Sequence, residues 1–189
     1  MDFLNQLKQY DIPQSLSVLF APSDLKNDIS LLYLCYYHWH HIFISVSDPV
    51  LAQVKITWWH DMLCADNPPH NVPDYMHALY DMVQKNPDLK PYIDNVFDGL
   101  TQDYTDTQNI EYHARKAFII VILKLHNITD TVQIDNILHA TSCQNMLSHK
   151  HIFPRSIRHI FIPFILKQSN DNFISKIKNI FKIFILYIK

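Results

Sequence analysis

Gly99 is the only glycine among 189 residues. Hairpins, β-bulges and phosphate-cradling loops depend on glycine where the chain turns tightly or must approach a ligand with its backbone. Its near-absence excludes a P-loop and a dinucleotide-binding glycine fingerprint, and it argues for an all-helical protein. Cysteine is scarce too. Cys35, Cys64 and Cys143 are odd in number, scattered and without metal-ligand spacing, so they read as reduced core cysteines of a cytosolic-type compartment. No apolar run approaches the roughly 18 residues that a membrane span requires. The opening MDFLNQLKQY carries an early acid and no long apolar stretch, which predicts the absence of a signal peptide.

What the chain does have is apolar and aromatic mass. Hydrophobic residues make up 48% and aromatic residues 13%, enough for one domain with a substantial core and too much for a disordered chain. Ten prolines punctuate it. Between them, apolar residues recurring at three- and four-residue steps predict helices near 14–20, 24–45, 49–65, 73–85, 91–104, 108–126, 131–147, 155–167 and 172–188. Short connections between helices predict a compact α-bundle spanning 1–189 as a single domain.

Charge is uneven. Residues 151–189 hold seven lysines and arginines against the single acid Asp171, a net of +6, whereas the remaining residues hold nine against seventeen acids, a net of −8. The last helix, near 172–188, places Phe173, Ile177, Ile180, Phe181, Phe184 and Ile188 on one side, with Lys178, Lys182 and Lys189 on the other. Such a helix either packs its stripe onto the bundle or lies on an anionic membrane surface. An acidic body and a basic tail with an apolar back are poor grounds for nucleic-acid binding.

The most informative stretch is DPVLAQVKITWWHDML, residues 48–63. Asp48 is a good N-cap and Pro49 suits the first helical position. Leu51, Val54, Trp58 and Met62 form one apolar stripe, with Lys55 and Trp59 four apart on its flank. Two adjacent tryptophans point about 100° apart on a helix, so at least one leaves the main stripe. Most tryptophans in such a place are core. Lys55 reads as a solvated or capping charge, or as a docking contact at a cavity mouth.

This stretch resembles a conserved helix of the squalene/phytoene synthase family. The resemblance covers roughly 18–155. LFAPSDLKNDISLLYLCYYH (19–38) is similar to the family's opening helix, and SDPVLAQVKITWW (47–59) to its acid-proline turn, basic residue and tryptophan pair. FDGLTQDY (97–104), with Asp103, is similar to the mid-chain helix that carries a glycine, and IDNILH (134–139), with Asn136 and His139, to the start of the second catalytic helix. HKHIFP (149–154) resembles the stretch that closes it. The resemblance implies an isoprenoid-synthase helical bundle. It also makes Asp48, Lys55, Trp58, Trp59, Asp103, Asn136 and His139 the candidate binding residues.

Active members of the family join two prenyl diphosphates. Diphosphate departure leaves an allylic carbocation, so Mg²⁺ held by hard oxygen ligands must neutralise the leaving group. Paired aspartates on two facing helices supply those ligands. Here the first motif falls on His40, His41 and Ile44, and the second begins at Ala140 and ends at Gln144. Between Lys26 and Ser47 the only acid is Asp28, and between Asn136 and Pro154 there is none, so a one-residue slip restores neither motif. The resemblance is therefore closer to the family's non-catalytic branch, which includes a mitochondrial complex I assembly factor. It implies no catalytic residues, no metal and no cofactor. Its partner is expected to be a respiratory-complex subunit or an isoprenoid-like apolar ligand, with peripheral membrane contact through 172–188. The protein is expected to be cytoplasmic, peripheral to the inner membrane where the tail meets lipid, and mitochondrial in a eukaryotic cell. Two alternatives stand: an active prenyl-diphosphate transferase that uses Mg²⁺ with displaced ligands, and an isoprenoid carrier whose cavity is not filled by Tyr36, Tyr37, Trp39 and Met146. Among twelve histidines, His38 and His41 share a helix face and His149 and His151 form a second pair; surface or partly buried histidines explain them as well as a metal does.

Overall fold

The computed structural model describes residues 2–66, 70–101 and 107–142, with only the helical backbone at 107–112 and 140–142. All regular structure among them is helical. Helices α1 (Phe3–Tyr10), α2 (Ile12–Leu19), α3 (Lys26–Ser45), α4 (Pro49–Cys64) and α5 (Asp74–Lys85) are followed by a 3₁₀ turn at Pro87–Leu89. Then come α6 (Lys90–Thr101), α7 (Thr107–Leu125) and α8 (Thr131–Ser142). The expected helices at 155–167 and 172–188 lie outside the described residues. No helix among the described residues is long and apolar enough to cross a membrane.

The chain forms two compact units, Leu31–Leu125 and Met1–Ser30 with His126–Lys189. In the latter, α1 and α2 meet at Asp11. Asp11 ends α1 by donating its backbone N–H to Leu7 O at 2.8 Å and opens α2 by accepting from Gln14 N at 3.0 Å. Periodicity did not reveal α1. Two short signals mark it: Asp2, whose carboxylate accepts from Asn5 N at 3.1 Å, and the buried i, i+4 pair Phe3 and Leu7. Asn127 stands at φ 57°, just past the end of α7. That left-handed position after a helix is usually glycine's, and here asparagine takes it.

The unit Leu31–Leu125 is built on α6 and α7. Gly99 is where they touch. A Cβ there would lie 2.7 Å from Ala114 N and 2.8 Å from Ala114 Cα. The single glycine thus serves a close backbone approach inside a helix rather than a turn. Around this crossing the core takes Ile93, Val96, Phe97 and Leu100 from α6 with Phe118, Val121 and Ile122 from α7. Aromatic rings of α3 join it: Tyr36 stacks on Phe118 at 4.4 Å, and Trp39, only 2% exposed, packs against Phe97 at 4.4 Å.

Helix α4 corrects the expected stripe. Asp48 caps it as expected, accepting from Val50 N at 2.9 Å and Leu51 N at 3.4 Å. The buried residues are Ala52, Ile56, Met62 and Leu63. Of the stripe, Leu51 is 47% exposed, Val54 58% and Trp58 47%, and only Met62 is buried. The helix is apolar on most of its circumference, so two rows at three- and four-residue steps compete. Packing chose the row through Ala52, Ile56 and Leu63, whose small and branched side chains allow closer approach.

Candidate functional site

The candidates that the resemblance suggests lie on separate elements. Asp48 is occupied as an N-cap, and Lys55 is exposed two turns further along α4. Trp58 and Trp59 stack edge-on at 4.6 Å, Trp59 half-buried and Trp58 outward, so the expectation of a core residue fails for Trp58. Val50, at 67% exposure, extends the outward row of Leu51, Val54 and Trp58. Asn136 and His139 are exposed on α8 of the other unit. Asp103 and Gln144 lie outside the described residues, as do Met146, His149 and His151. Ala140 is described by its backbone alone.

On α3, His40 and His41, where the resemblance would place aspartates, carry aromatic contacts. His40 is half-buried and stacks with Tyr36 at 6.1 Å; His41 stacks with Tyr37 at 5.7 Å; Ile44 is 69% exposed. His38 stacks on Tyr75 at 4.7 Å. Burial, and then the neighbouring His41, hold the His38 imidazole below its ordinary value. His38 and His41 do not belong to any three-residue metal-ligating group among the described residues.

The structure assembles a different cluster, on the inner side of α4 against α6. His60 Nε2 lies 2.9 Å from Asp94 Oδ1 and 3.7 Å from Cys64 Sγ. Lys90 Nζ donates to both Asp94 oxygens, at 3.1 and 3.3 Å, and to Cys64 Sγ at 3.3 Å. His60 and Cys64 are i, i+4 on α4, and Lys90 and Asp94 are i, i+4 on α6, so each helix presents a pair on one face. The His60 ring also packs on Phe97 at 5.0 Å, which ties the cluster to the core behind it. The hydrogen bond to Asp94 holds the Lys90 ammonium above its ordinary value; burial opposes this and Cys64 adds to it. Cys64 is exposed, contrary to the expectation of core cysteines, whereas Cys35 is fully buried and burial pushes its thiol far up. The thiol of Cys35 lies 3.9 Å from Tyr75 O. Cys143 lies outside the described residues.

Cysteine, histidine and aspartate together suggest nucleophilic catalysis, but the geometry is wrong for it. A relay needs the two imidazole nitrogens to face different partners, one the nucleophile and one the carboxylate. Here the same Nε2 faces both Asp94 and Cys64. The group is a set of ligands converging on one point instead. The sequence held half of this signal in the His60-x-x-x-Cys64 spacing. The other half, Asp94, is contributed from 30 positions along the chain, and only the packing of α4 on α6 brings it near.

Comparisons with protein-family models, with curated proteins and with solved structures give no match.

Proposed function

We propose that this chain is a non-catalytic binding protein on a helical frame resembling that of the squalene/phytoene synthases, and that its docking surface is the outer face of α4. The observation that carries this reading is the outward row Val50, Leu51, Val54 and Trp58, with exposures from 47 to 67%. Contiguous apolar residues turned to water on a well-capped helix are what a helix-in-groove contact uses, with anchors at three- and four-residue steps. Burying a valine or leucine side chain completely is worth about 1.5–3 kcal/mol. Covering the exposed parts of four such residues supplies the apolar core of a contact, to which a polar rim must add. The partner's chemistry is an apolar groove on another protein, as a respiratory-complex subunit met during assembly would offer. The absence of an acid pair at His40, His41 and Ile44 supports the non-catalytic part of the reading.

Two experiments test it. Photo-crosslinking residues placed at Val54 and at Lys55, both exposed but on different sides of α4, are compared in cells that make the protein. A single identified polypeptide captured from position 54 and not from 55, and lost with Leu51→Asp, supports the reading. Equal capture from both positions refutes the docking face. Separately, the purified protein is incubated with Mg²⁺ and farnesyl or geranylgeranyl diphosphate. Pyrophosphate release with a C30 or C40 product overturns the non-catalytic assignment.

A further inference from the structure

We infer that His60, Cys64 and Asp94 form a binding site for Zn²⁺ or a similar borderline transition-metal ion, with Lys90 as its built-in competitor. This inference does not rest on the docking face of α4.

The three ligand atoms, Nε2, Sγ and one carboxylate oxygen, all lie within 4.8 Å of one another. Tetrahedral zinc, with bonds of about 2.0–2.3 Å to nitrogen, oxygen and sulfur, sets its ligands about 3.3–3.6 Å apart. The nitrogen–sulfur distance of 3.7 Å is just above that range and must close slightly, and the nitrogen–oxygen distance of 2.9 Å must open by a few tenths of an ångström. Two ligands at i and i+4 on one helix face, completed from a second helix, are a familiar zinc-chelating arrangement. The mixed set of imidazole, thiolate and carboxylate selects zinc or a neighbouring metal over Mg²⁺, which demands oxygen ligands. It is thus chemically separate from any Mg²⁺-diphosphate site. Cys64 is exposed, so the fourth position faces water.

Lys90 supports the inference. Its ammonium touches Cys64 Sγ and both Asp94 oxygens at 3.1–3.3 Å, so the pocket is already organised around a positive charge. The Lys90 side chain is 43% exposed and can swing into water. Metal entry then exchanges one cation for another. The Cys64 thiol gives its proton to solvent and its sulfur binds the metal. The proton that His60 Nε2 shares with Asp94 passes to solvent while Nδ1 carries the ring's one proton, so His60 binds through Nε2 as the neutral imidazole and its hydrogen bond to Asp94 is replaced by two metal bonds. The bound ion links the C-terminal turn of α4 to the first turns of α6.

Cobalt(II) titration of the full-length, reduced protein tests this, because a thiolate ligand gives cobalt a charge-transfer band that nitrogen and oxygen ligands do not. One equivalent per chain with that band is expected, displaced by Zn²⁺ and unaffected by excess Mg²⁺. Cys64→Ser should abolish the band, His60→Asn should weaken binding at least tenfold, and Lys90→Met should tighten it about tenfold. Zn²⁺ should also slow alkylation of Cys64 by iodoacetamide more than tenfold, followed by peptide mass. Circular dichroism confirms that each variant remains helical. A band that survives in Cys64→Ser, or no band in either the parent or Lys90→Met, overturns the site. Unchanged or weaker binding in Lys90→Met overturns the role of the lysine.

Discussion

Replacing Gly99 with alanine tests the closest contact in the unit Leu31–Leu125. In an isolated helix the change would help, since alanine is about 1 kcal/mol better than glycine in a helix interior. Here the new methyl would meet Ala114 N at 2.7 Å and Ala114 Cα at 2.8 Å. Both are backbone atoms, and neither can rotate away. Reaching ordinary contact at 3.4 Å requires α6 and α7 to part by about 0.7 Å. Overpacking of this kind costs about 1–3 kcal/mol, and the parting also loosens the buried residues on both sides of the crossing. Against the propensity gain, a net loss of up to about 2 kcal/mol remains. At about 2–4 °C per kcal/mol for a chain of this size, the melting temperature should fall by up to about 8 °C, measured by circular dichroism and checked by urea unfolding. A midpoint raised by the full propensity gain would refute the reasoning, and so would rescue by Ala114→Gly. That second change removes only the side chain of Ala114 and leaves the obstructing N and Cα in place.

Other outcomes follow from single contacts. Asp48→Ala removes the acceptor for Val50 N and Leu51 N and should cost about 1 kcal/mol in urea unfolding, whereas Asp48→Ser should retain most of it. Trp39→Ala empties a site against Phe97 that is 2% exposed and should cost about 3–5 kcal/mol; a loss below 1 kcal/mol would mean that Trp39 is not core. Iodoacetamide applied to the native, metal-free protein should modify Cys64 and spare Cys35, and equal labelling would contradict the burial of Cys35. His38 is held below its ordinary value of 6.5, so the unfolded chain takes up a proton there before the folded one does. Stability from this group is full above about pH 6.5 and is lost as pH falls through the folded value. His38→Phe, which preserves the stack on Tyr75, should flatten that part of the urea-midpoint profile, and an unchanged slope would exclude His38 as a source.

The all-helical character of the described residues was legible in the single glycine together with the spacing of prolines and apolar residues. The start of α4 was legible because an Asp-Pro pair has a local mechanism, and Asp48 caps as that mechanism requires. The facing of α4 was not legible. Gln53, Thr57, His60 and Asp61 give α4 one narrow polar face, but Val50, Leu51, Ala52, Val54, Ile56, Trp58, Trp59, Met62 and Leu63 cover the rest of its circumference, and only its neighbours decide which apolar row is buried. The histidine–cysteine–aspartate cluster was half legible: His60 and Cys64 stand one helical turn apart, but Asp94 is distant in sequence and reaches them through tertiary packing. Helix α1 was not legible because its eight residues offer only the pair Phe3 and Leu7 with Leu4 as an apolar pattern, whereas α2, equally short, is marked by Pro13 and a denser apolar run.

The contact at Gly99 has a mechanical meaning for the cluster next to it. Asp94 lies five positions before Gly99 on α6, and α6 is fastened to α7 backbone against backbone. The carboxylate therefore stands on the anchored side. His60 and Cys64 stand on α4, which is open to solvent along Val50, Leu51, Val54 and Trp58. Of the two halves of the cluster, α6 is the anvil and α4 the arm: a cation held as inferred above would pin the less anchored helix to the more anchored one.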